Sequence, residues 1–172
     1  YTTLFRSLAS DDTELLGEYA LRNSETAFAT LVSRHLDMVY ATALRHVGNH
    51  HQAQEIAQAV FIILARKAGG ISPRVVLSGW LYQVARLTAA NFMKGEIRRQ
   101  HREQKTYLQS TVEETGSSEW NAVGPILDEA MGSLGKTDRN AVVLRYFENK
   151  SAAEIGTALR MTEATARRRV NR

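Results

Sequence analysis

The chain has 172 residues, 44% of them hydrophobic and 23% charged, so it can bury a core in one domain or in two small ones. It contains no cysteine, which excludes disulfides and thiolate metal sites and favours the cytoplasm. No stretch approaches the roughly 20 apolar residues that span a bilayer, and no signal-peptide pattern opens the chain, so we expect no membrane insertion. The sequence starts at Tyr1 without a methionine and stops inside a predicted helix, so we expect that both ends are trimmed.

The net charge of +4 is unevenly distributed. Residues 1–68 carry 6 Lys or Arg and 7 Asp or Glu, whereas residues 69–108 carry 7 Lys or Arg and only 2 Asp or Glu. Residues 109–135 carry 5 Asp or Glu and no Lys or Arg, and residues 136–172 carry 9 Lys or Arg and 4 Asp or Glu. Two basic blocks separated by an acidic stretch are typical of a protein that contacts a polyanion at two places.

Helical periodicity runs through the first part of the chain. Apolar residues recur at spacings of three and four, which predicts helices around Glu14–Ala20, over 28–47, over 52–68 and from Ser78 into the basic stretch 94–105. Gly48 ends the second of these helices, and the pair Gly69 and Gly70 ends the third. Trp80 falls on the apolar stripe of the fourth helix, which favours packing in a core over contact with a ligand.

Periodicity disappears between Gln109 and Asn121, where Ser, Thr, Glu and Gly dominate. This composition predicts a flexible acidic linker. Beyond it, two amphipathic segments at 126–134 and 142–147 predict further helices. We therefore predict an all-α protein with an N-terminal domain at 1–108, a linker at 109–121, and a C-terminal four-helix domain at 122–172.

The last 22 residues predict a helix-turn-helix. Ser151 and Glu154 form an S-x-x-E capping box at the start of one helix, and Thr162 is an N-cap for a second, basic helix. Arg160 occupies the turn between them, where a left-handed conformation costs a residue other than glycine on the order of 1 kcal/mol. A short arginine-rich helix suits the DNA major groove, although a basic surface helix without a ligand remains an alternative.

Three sets of motifs occur in a characteristic order. They are the stretches 12–16, 27–28 and 39–45; then 52–61 and 79–86; then 134–139, 143–148 and 151–159. This order resembles a bacterial RNA polymerase sigma factor of the extracytoplasmic-function (ECF) group, which has a promoter −10 domain and a −35 domain. The resemblance implies a transcription initiation factor that binds core RNA polymerase, directs it to −35 and −10 promoter DNA, and melts the promoter.

The resemblance also assigns residues to three surfaces. The helix 52–68 would bind the clamp helices of the polymerase through Gln52, Glu55, Gln58, Ala59 and Ile62. The loop 69–77, here called the promoter loop, and the helix after it would receive the −10 element, with DNA contacts from Arg74, Asn91, Lys94, Arg98, Arg99 and Arg102. The last helix would read the −35 element through Thr162, Glu163, Thr165, Arg167, Arg168, Arg169 and Arg172.

No catalytic or metal-binding motif competes with this interpretation. The five histidines lack an H-E-x-x-H frame, and no phosphate-binding G-x-x-x-x-G-K occurs, so we expect neither an enzyme nor a bound cofactor or metal. The implied partners are core RNA polymerase (clamp helices and flap), promoter DNA and an anti-sigma factor, whose existence the sequence leaves open. Two alternatives remain: a helix-turn-helix regulator with a helical sensor domain, and a helical adaptor that binds only protein. Both leave the basic block from Arg74 to Lys105 unexplained.

Overall fold

The computed structural model describes residues 11–104, 126–127 and 129–171. Every regular element in these ranges is a helix, which confirms the all-α class. The helices are α1 Asp12–Arg22, α2 Glu25–Val47, α3 His50–Lys67 with the 3₁₀ turn Ala68–Gly70, α4 Leu77–Gln104, α5 Lys136–Tyr146, α6 Ala152–Leu159 and α7 Glu163–Val170. Residues 126–127 and 129–133 are also helical. The predicted linker 109–121 and Arg172 lie outside the described residues.

None of the helices in this described part is both long enough and apolar enough to cross a membrane.

Local sequence signals set most of the helix ends. A side-chain oxygen accepts a hydrogen bond from a backbone N–H of the first turn in α1, α2, α3, α6 and α7, and the capping residues are Asp11, Ser24, Asn49, Ser151 and Thr162. Gly48 ends α2 with φ 64°, a left-handed conformation that glycine adopts without strain. The predicted stop at Gly48 is therefore confirmed.

Helices α1 to α4 form an N-terminal unit (residues 11–104) with a continuous apolar core. The core lies between α2, α3 and α4 and includes the fully buried side chains of Leu31, Val39, Ile56, Val60, Leu64 and Leu81. Burying a side chain of this size contributes about 1.5 to 3 kcal/mol, so this core is the main source of stability for the unit. Trp80 packs partly buried against it, as its place on the apolar stripe predicts.

Asp12 connects α1 to α2 by two polar contacts. Its Oδ2 lies 2.6 Å from Nε2 of the buried His35, and its Oδ1 accepts a hydrogen bond from Arg34 at 2.9 Å. Burial alone would raise the pKa of Asp12, but the hydrogen bonds and charges of His35 and Arg34 outweigh burial and hold the pKa below its ordinary value. The carboxylate is therefore ionised at neutral pH and holds the two helices together.

Helices α5 to α7 and the helical residues before them form a C-terminal unit (residues 126–127 and 129–171). Its small core contains Ala141, Leu144, Ile155 and Ala166. The guanidinium of Arg139 donates hydrogen bonds to the carbonyls of residues 131, 132 and 134 at 2.9, 3.2 and 2.7 Å. It thereby satisfies carbonyls that the end of the preceding helical segment leaves without partners.

The two units pack against each other. Helix α4 contacts α5, and Met131 and Val143 of the C-terminal unit are buried in the core of the N-terminal unit. The centres of the Phe147 and Tyr82 rings lie 6.1 Å apart, and the guanidinium carbon of Arg45 lies 5.8 Å from the centre of the Phe147 ring. The division into domains at 1–108 and 122–172 stays a prediction.

We predict that Asp12→Asn lowers the free energy of unfolding by about 2 kcal/mol at neutral pH, because hydrogen bonds to charged groups contribute about 1.5 to 3 kcal/mol. Since the folded-state pKa of Asp12 lies below its ordinary value of 3.8, this stabilisation is present above that value and is lost as the pH falls through the folded-state pKa. Urea unfolding measures the free energy of unfolding of variant and parent, and the difference between these two free energies should become smaller as the pH drops from 7 to below 4.

Glu14→Gln removes an exposed acidic residue from the same helical turn and serves as the control. It should change the free energy of unfolding by less than about 0.5 kcal/mol. An Asp12→Asn effect that does not change with pH would contradict the assigned role of the carboxylate.

Candidate nucleic-acid interface

The capping box that opens α6 is formed as the sequence predicts. The backbone N–H of Ser151 donates to Oε2 of Glu154 at 2.8 Å, and the hydroxyl oxygen of Ser151 accepts from the backbone N–H of Glu154 at 3.3 Å. The bonds from the backbone N–H and then the hydroxyl of Ser151 hold the pKa of Glu154 below its ordinary value. The charged box fixes the start of the first helix of the helix-turn-helix.

The turn between α6 and α7 depends on two residues. Arg160 adopts a left-handed conformation, with φ 54° and ψ 47°, so the turn keeps a regular left-handed cap despite the arginine. Gly156 lies so close to the turn that a Cβ there would come within 2.8 Å of the backbone carbonyl oxygen of Met161. The backbone N–H of Met161 donates to the carbonyl of Gly156 at 2.8 Å. The missing side chain at Gly156 therefore permits the tight turn that orients α7.

The three arginines of α7 that the structure describes, Arg167, Arg168 and Arg169, differ in their ion-pair partners. Ala166 is fully buried and anchors the helix to the core of the C-terminal unit. Arg167 pairs with Glu163 at 2.8 Å, and both side chains remain more than half exposed. Arg169 forms an ion pair with Asp138 of α5, whereas the exposed Arg168 forms no ion pair with any described residue. Thr162 and Glu163 are exposed and Thr165 is half-buried.

The cations predicted to contact the −10 element follow the outer surface of the promoter loop and α4. Arg74 is exposed in a turn that the hydrogen bond from the N–H of Val75 to the carbonyl of Ser72 closes at 2.9 Å. The predicted contact residues of α4 are all exposed, and they are Asn91, Lys94, Arg98, Arg99 and Arg102. A cationic strip of this kind suits the phosphate backbone of DNA.

The predicted polymerase-binding residues lie on the outer face of α3. Glu55, Gln58 and Ile62 are exposed, and Gln52 and Ala59 are half-buried. Leu36 of α2, which the sequence pattern assigns to the buried stripe, is instead 42% exposed beside Ile62, which is 45% exposed. Both line one shallow apolar groove between α2 and α3. Exposed apolar grooves mark interaction sites. The apolar repeat along α2 did not predict that Leu36 would be exposed, because exposure depends on the packing between helices.

One group among the described residues could offer ligand atoms to a metal ion. Asp12, His35 and Glu148 place one nitrogen and two carboxylate oxygens within 4.8 Å of one another. His35 and Asp12 are already joined by the 2.6 Å hydrogen bond, and Asp12 also pairs with Arg34. The group therefore serves as a polar contact between the N-terminal unit and the loop after α5.

Comparison with known families identifies both units. Residues 31–105 match the family Sigma-70 region 2, and residues 125–172 match the family Sigma-70, region 4. The chain belongs to the sigma-70 family. The promoter loop, α3 and α4 lie within the first match, and the helix-turn-helix lies within the second.

Curated relatives place this sigma factor in the ECF group. It is 31% identical over 150 residues to the ECF RNA polymerase sigma factor SigE of Mycolicibacterium smegmatis, an alignment that covers 83% of this chain and 56% of SigE. It is 27% identical to the ECF sigma factor SigW of Bacillus subtilis, with 88% of this chain and 87% of SigW covered. The sigma-H factor of Pseudomonas aeruginosa is 26% identical, with coverage of 96% and 91%.

Among solved structures, the chain is similar to the sigma factor RpoE of Bartonella quintana in complex with the anti-sigma factor NepR. The TM-score is 0.39 and the identity 18%, over 84% of this chain and 89% of RpoE. As an ECF sigma factor, the protein is an initiation factor that directs RNA polymerase to promoters. Sigma factors are non-catalytic, and a repressor with a sensor domain is not favoured.

We predict that Arg169→Ala lowers the free energy of unfolding by about 1 kcal/mol, because it leaves the half-buried Asp138 without its partner. Arg168→Ala should change stability by less than about 0.5 kcal/mol, because Arg168 is exposed. Thermal unfolding of both variants measures the difference. Equal stabilities would show that the Arg169–Asp138 pair does not hold α7 to α5.

Proposed function

We propose that this sigma factor binds core RNA polymerase through the outer face of α3, reads the −35 element with α7, and receives the −10 element on the promoter loop and α4. The observation that carries the proposal is the exposure of three separate polar or cationic surfaces on elements of the matched regions. The proposal includes no catalytic step by the chain itself. Because core polymerase works in the bacterial cytoplasm, the protein would act there.

The polymerase surface combines apolar and polar contacts. Ile62 and Leu36 supply exposed apolar area beside the amide of Gln58. Glu55 is the one acidic residue among the five predicted contacts, and its only described ion pair is a solvent-exposed contact with His51 at 3.6 Å. Its charge is therefore available to a cationic partner, and mutating it tests the electrostatic part of docking.

The −35 surface is the exposed side of α7. Arg168 has no ion pair among the described residues, and the exposed pair of Arg167 with Glu163 can exchange for a contact with DNA at little cost. Guanidinium groups bind guanine by two hydrogen bonds, and a carboxylate accepts from the amino group of cytosine. Arg169 is already used inside the unit, so base reading falls to Arg167 and Arg168.

The −10 surface differs because its residues are spread along α4 rather than grouped at a helix start. Lys94, Arg98 and Arg102 follow one another at spacings of four residues, so they lie along one side of the helix. Such a row follows a phosphate backbone and carries no sequence information by itself. The promoter loop, with its glycines and Arg74, is the part that can approach an unstacked base.

We predict that Glu55→Lys weakens binding to core polymerase by about tenfold, as expected when a rim charge of an interface is reversed. Stability should change by less than about 0.5 kcal/mol, because Glu55 is exposed. Fluorescence anisotropy of labelled protein titrated with core polymerase measures the affinity. Glu18→Lys makes the same charge change on the exposed side of α1 and is the matched control. If both variants bind as tightly as the parent, the outer face of α3 is not the docking surface.

Selection of promoters from random DNA by the holoenzyme tests DNA reading. Parent protein with core polymerase should enrich two sequence elements and give run-off transcripts from them. Replacing Arg168 or Arg167 with Ala should relax preference at a −35 base pair, at a cost of about 1 to 3 kcal/mol. Replacing Lys94 or Arg102 should weaken binding to all promoters alike and lower the salt slope by roughly one.

Arg22→Ala, at the end of α1 and outside all three surfaces, is the control for loss of a positive charge. Uniform loss of affinity from all four substitutions, with no change in the selected sequence, would make α7 an electrostatic anchor. Failure of the parent protein to enrich any element would overturn the proposed function itself.

A further inference from the structure

The exposed face of α4 begins with an apolar residue. In the stretch 77–90, all of which the structure describes, every residue of α4 is buried or half-buried except Leu87. Leu87 itself is 50% exposed. A single exposed leucine is ordinary on a protein surface, so its meaning depends on what lies beside it on the same face.

The residues beside Leu87 on this face are an amide, a glycine and cations. At about 100° per residue, five exposed residues fall within about 80° of Leu87 around the helix, and they are Asn91, Lys94, Gly95, Arg98 and Arg102. Glu96 falls on the opposite side of α4, where it pairs with Arg99 at 3.2 Å. Among the described side chains of α4, this face therefore carries positive charge and no acid, so it suits a polyanion.

Gly95 has no packing role within the described part of the chain. A Cβ built on it would meet no atom within 4 Å, whereas a Cβ on Gly79 of the same helix would collide with the side chain of Asn140. Glycine is a poor helix former, because it loses more conformational freedom on folding than any other residue. A glycine on an exposed face that internal packing does not require allows another molecule to approach the helix backbone closely.

Leu87, Asn91 and Gly95 follow one another at spacings of four residues, so they form a strip along one side of α4, here called the reading strip. At 1.5 Å per residue the strip is about 12 Å long, which is the length of three to four bases at 3.4 Å per base. Lys94 and Arg98 flank its far end. Cations of this kind hold phosphates and fix the register of a strand, so the strip between them and the packed part of α4 is left to meet the bases.

The side chains of the reading strip match the edges of two bases. The amide of an asparagine forms two hydrogen bonds with adenine, since its oxygen accepts from N6 and its nitrogen donates to N7. An apolar side chain such as that of Leu87 contacts the C5 methyl group of thymine. The N7 atom and the C5 methyl lie on the base edge that base pairing leaves open, so both are accessible in duplex and in single-stranded DNA.

We propose that the reading strip selects an adenine and a thymine of the −10 element. Asn91 binds the adenine, Leu87 contacts the methyl group of the thymine, and Gly95 lets the strand approach the helix. The inference rests on the proposed function, because it names the sequence that the −10 surface reads. Leu87 and Asn91 lie about 6 Å apart along the helix axis, so the two bases are neighbours or are separated by one base.

Replacing thymine by uracil tests the leucine contact, because uracil lacks only the methyl group. Holoenzyme of the parent protein and core polymerase first selects promoters, and each thymine of the selected −10 element is then replaced in turn. At one position the replacement should weaken binding about fourfold, as expected when one buried methyl group is lost. In Leu87→Ala the same replacement should have no effect.

Ile97→Ala is the matched control for Leu87→Ala. Ile97 is 49% exposed on the same helix but lies about 80° around it from Leu87, so this variant should keep the fourfold effect of uracil. Equal effects of uracil in the parent and in Leu87→Ala, or no position at which uracil weakens binding of the parent, would overturn the proposal.

Replacing adenine by 7-deazaadenine tests the amide contact, because a carbon then stands in place of N7. At one position of the −10 element this replacement should weaken binding by the parent about fivefold, as expected for the loss of one hydrogen bond. In Asn91→Ala it should have no effect. The adenine and thymine positions detected in this way should have at most one base between them. A larger separation would contradict reading by one strip.

Gly95→Ala and Gly17→Ala separate close approach from helix stability. Gly17 lies within α1, and a Cβ built on it also meets no atom within 4 Å. Both substitutions should raise the midpoint of thermal unfolding, because alanine favours a helix. Only Gly95→Ala should weaken promoter binding, by about fivefold for every −10 sequence. Binding by Gly95→Ala as tight as that of the parent would show that DNA does not approach this face closely.

Failure of the proposed function looks different from failure of this inference. If the proposed function is wrong, the parent holoenzyme enriches no −10 element, and the inference falls with it. If the parent enriches a −10 element but neither base analogue distinguishes the variants from the parent, only the assignment of the reading strip is overturned.

Discussion

The arrangement of both units depends on the crossing of α4 and α5 at Gly79 and Asn140. The first half of α4 belongs to two interfaces at once, because Leu81 and Ala85 face the core of the N-terminal unit while Gly79 faces α5. A helix that packs on two sides needs small or apolar residues on both, and Arg86 is the one charged residue in the first half of α4, whereas the other charged residues lie in the second half. The cationic part of the DNA surface therefore extends beyond the packed part of the helix.

The basic residues of this protein divide into structural ones and free ones. Arg139 and Arg169 are used within the C-terminal unit, the first on three carbonyls and the second on Asp138. Arg168 and Arg74 are exposed. Counting positive charges in the sequence therefore overstates the charge that DNA can use. The electrostatic contribution to promoter binding should come from the exposed group alone, since each neutralised phosphate requires a cation that is free to reach it.

Helices and their ends could be predicted from the sequence, but contacts between distant residues could not. The capping box of Ser151 and Glu154, the stop at Gly48 and the left-handed Arg160 all follow from interactions within a few residues, which local patterns record. The pairing of Arg169 with Asp138 spans 31 positions, and Leu36 is exposed in the groove between α2 and α3 although it lies on the apolar stripe of α2. The packing of Val76 against the core of the C-terminal unit and the approach of Asn140 to Gly79 are likewise products of tertiary structure, and neither Val76 nor Gly79 carries a local signal for them.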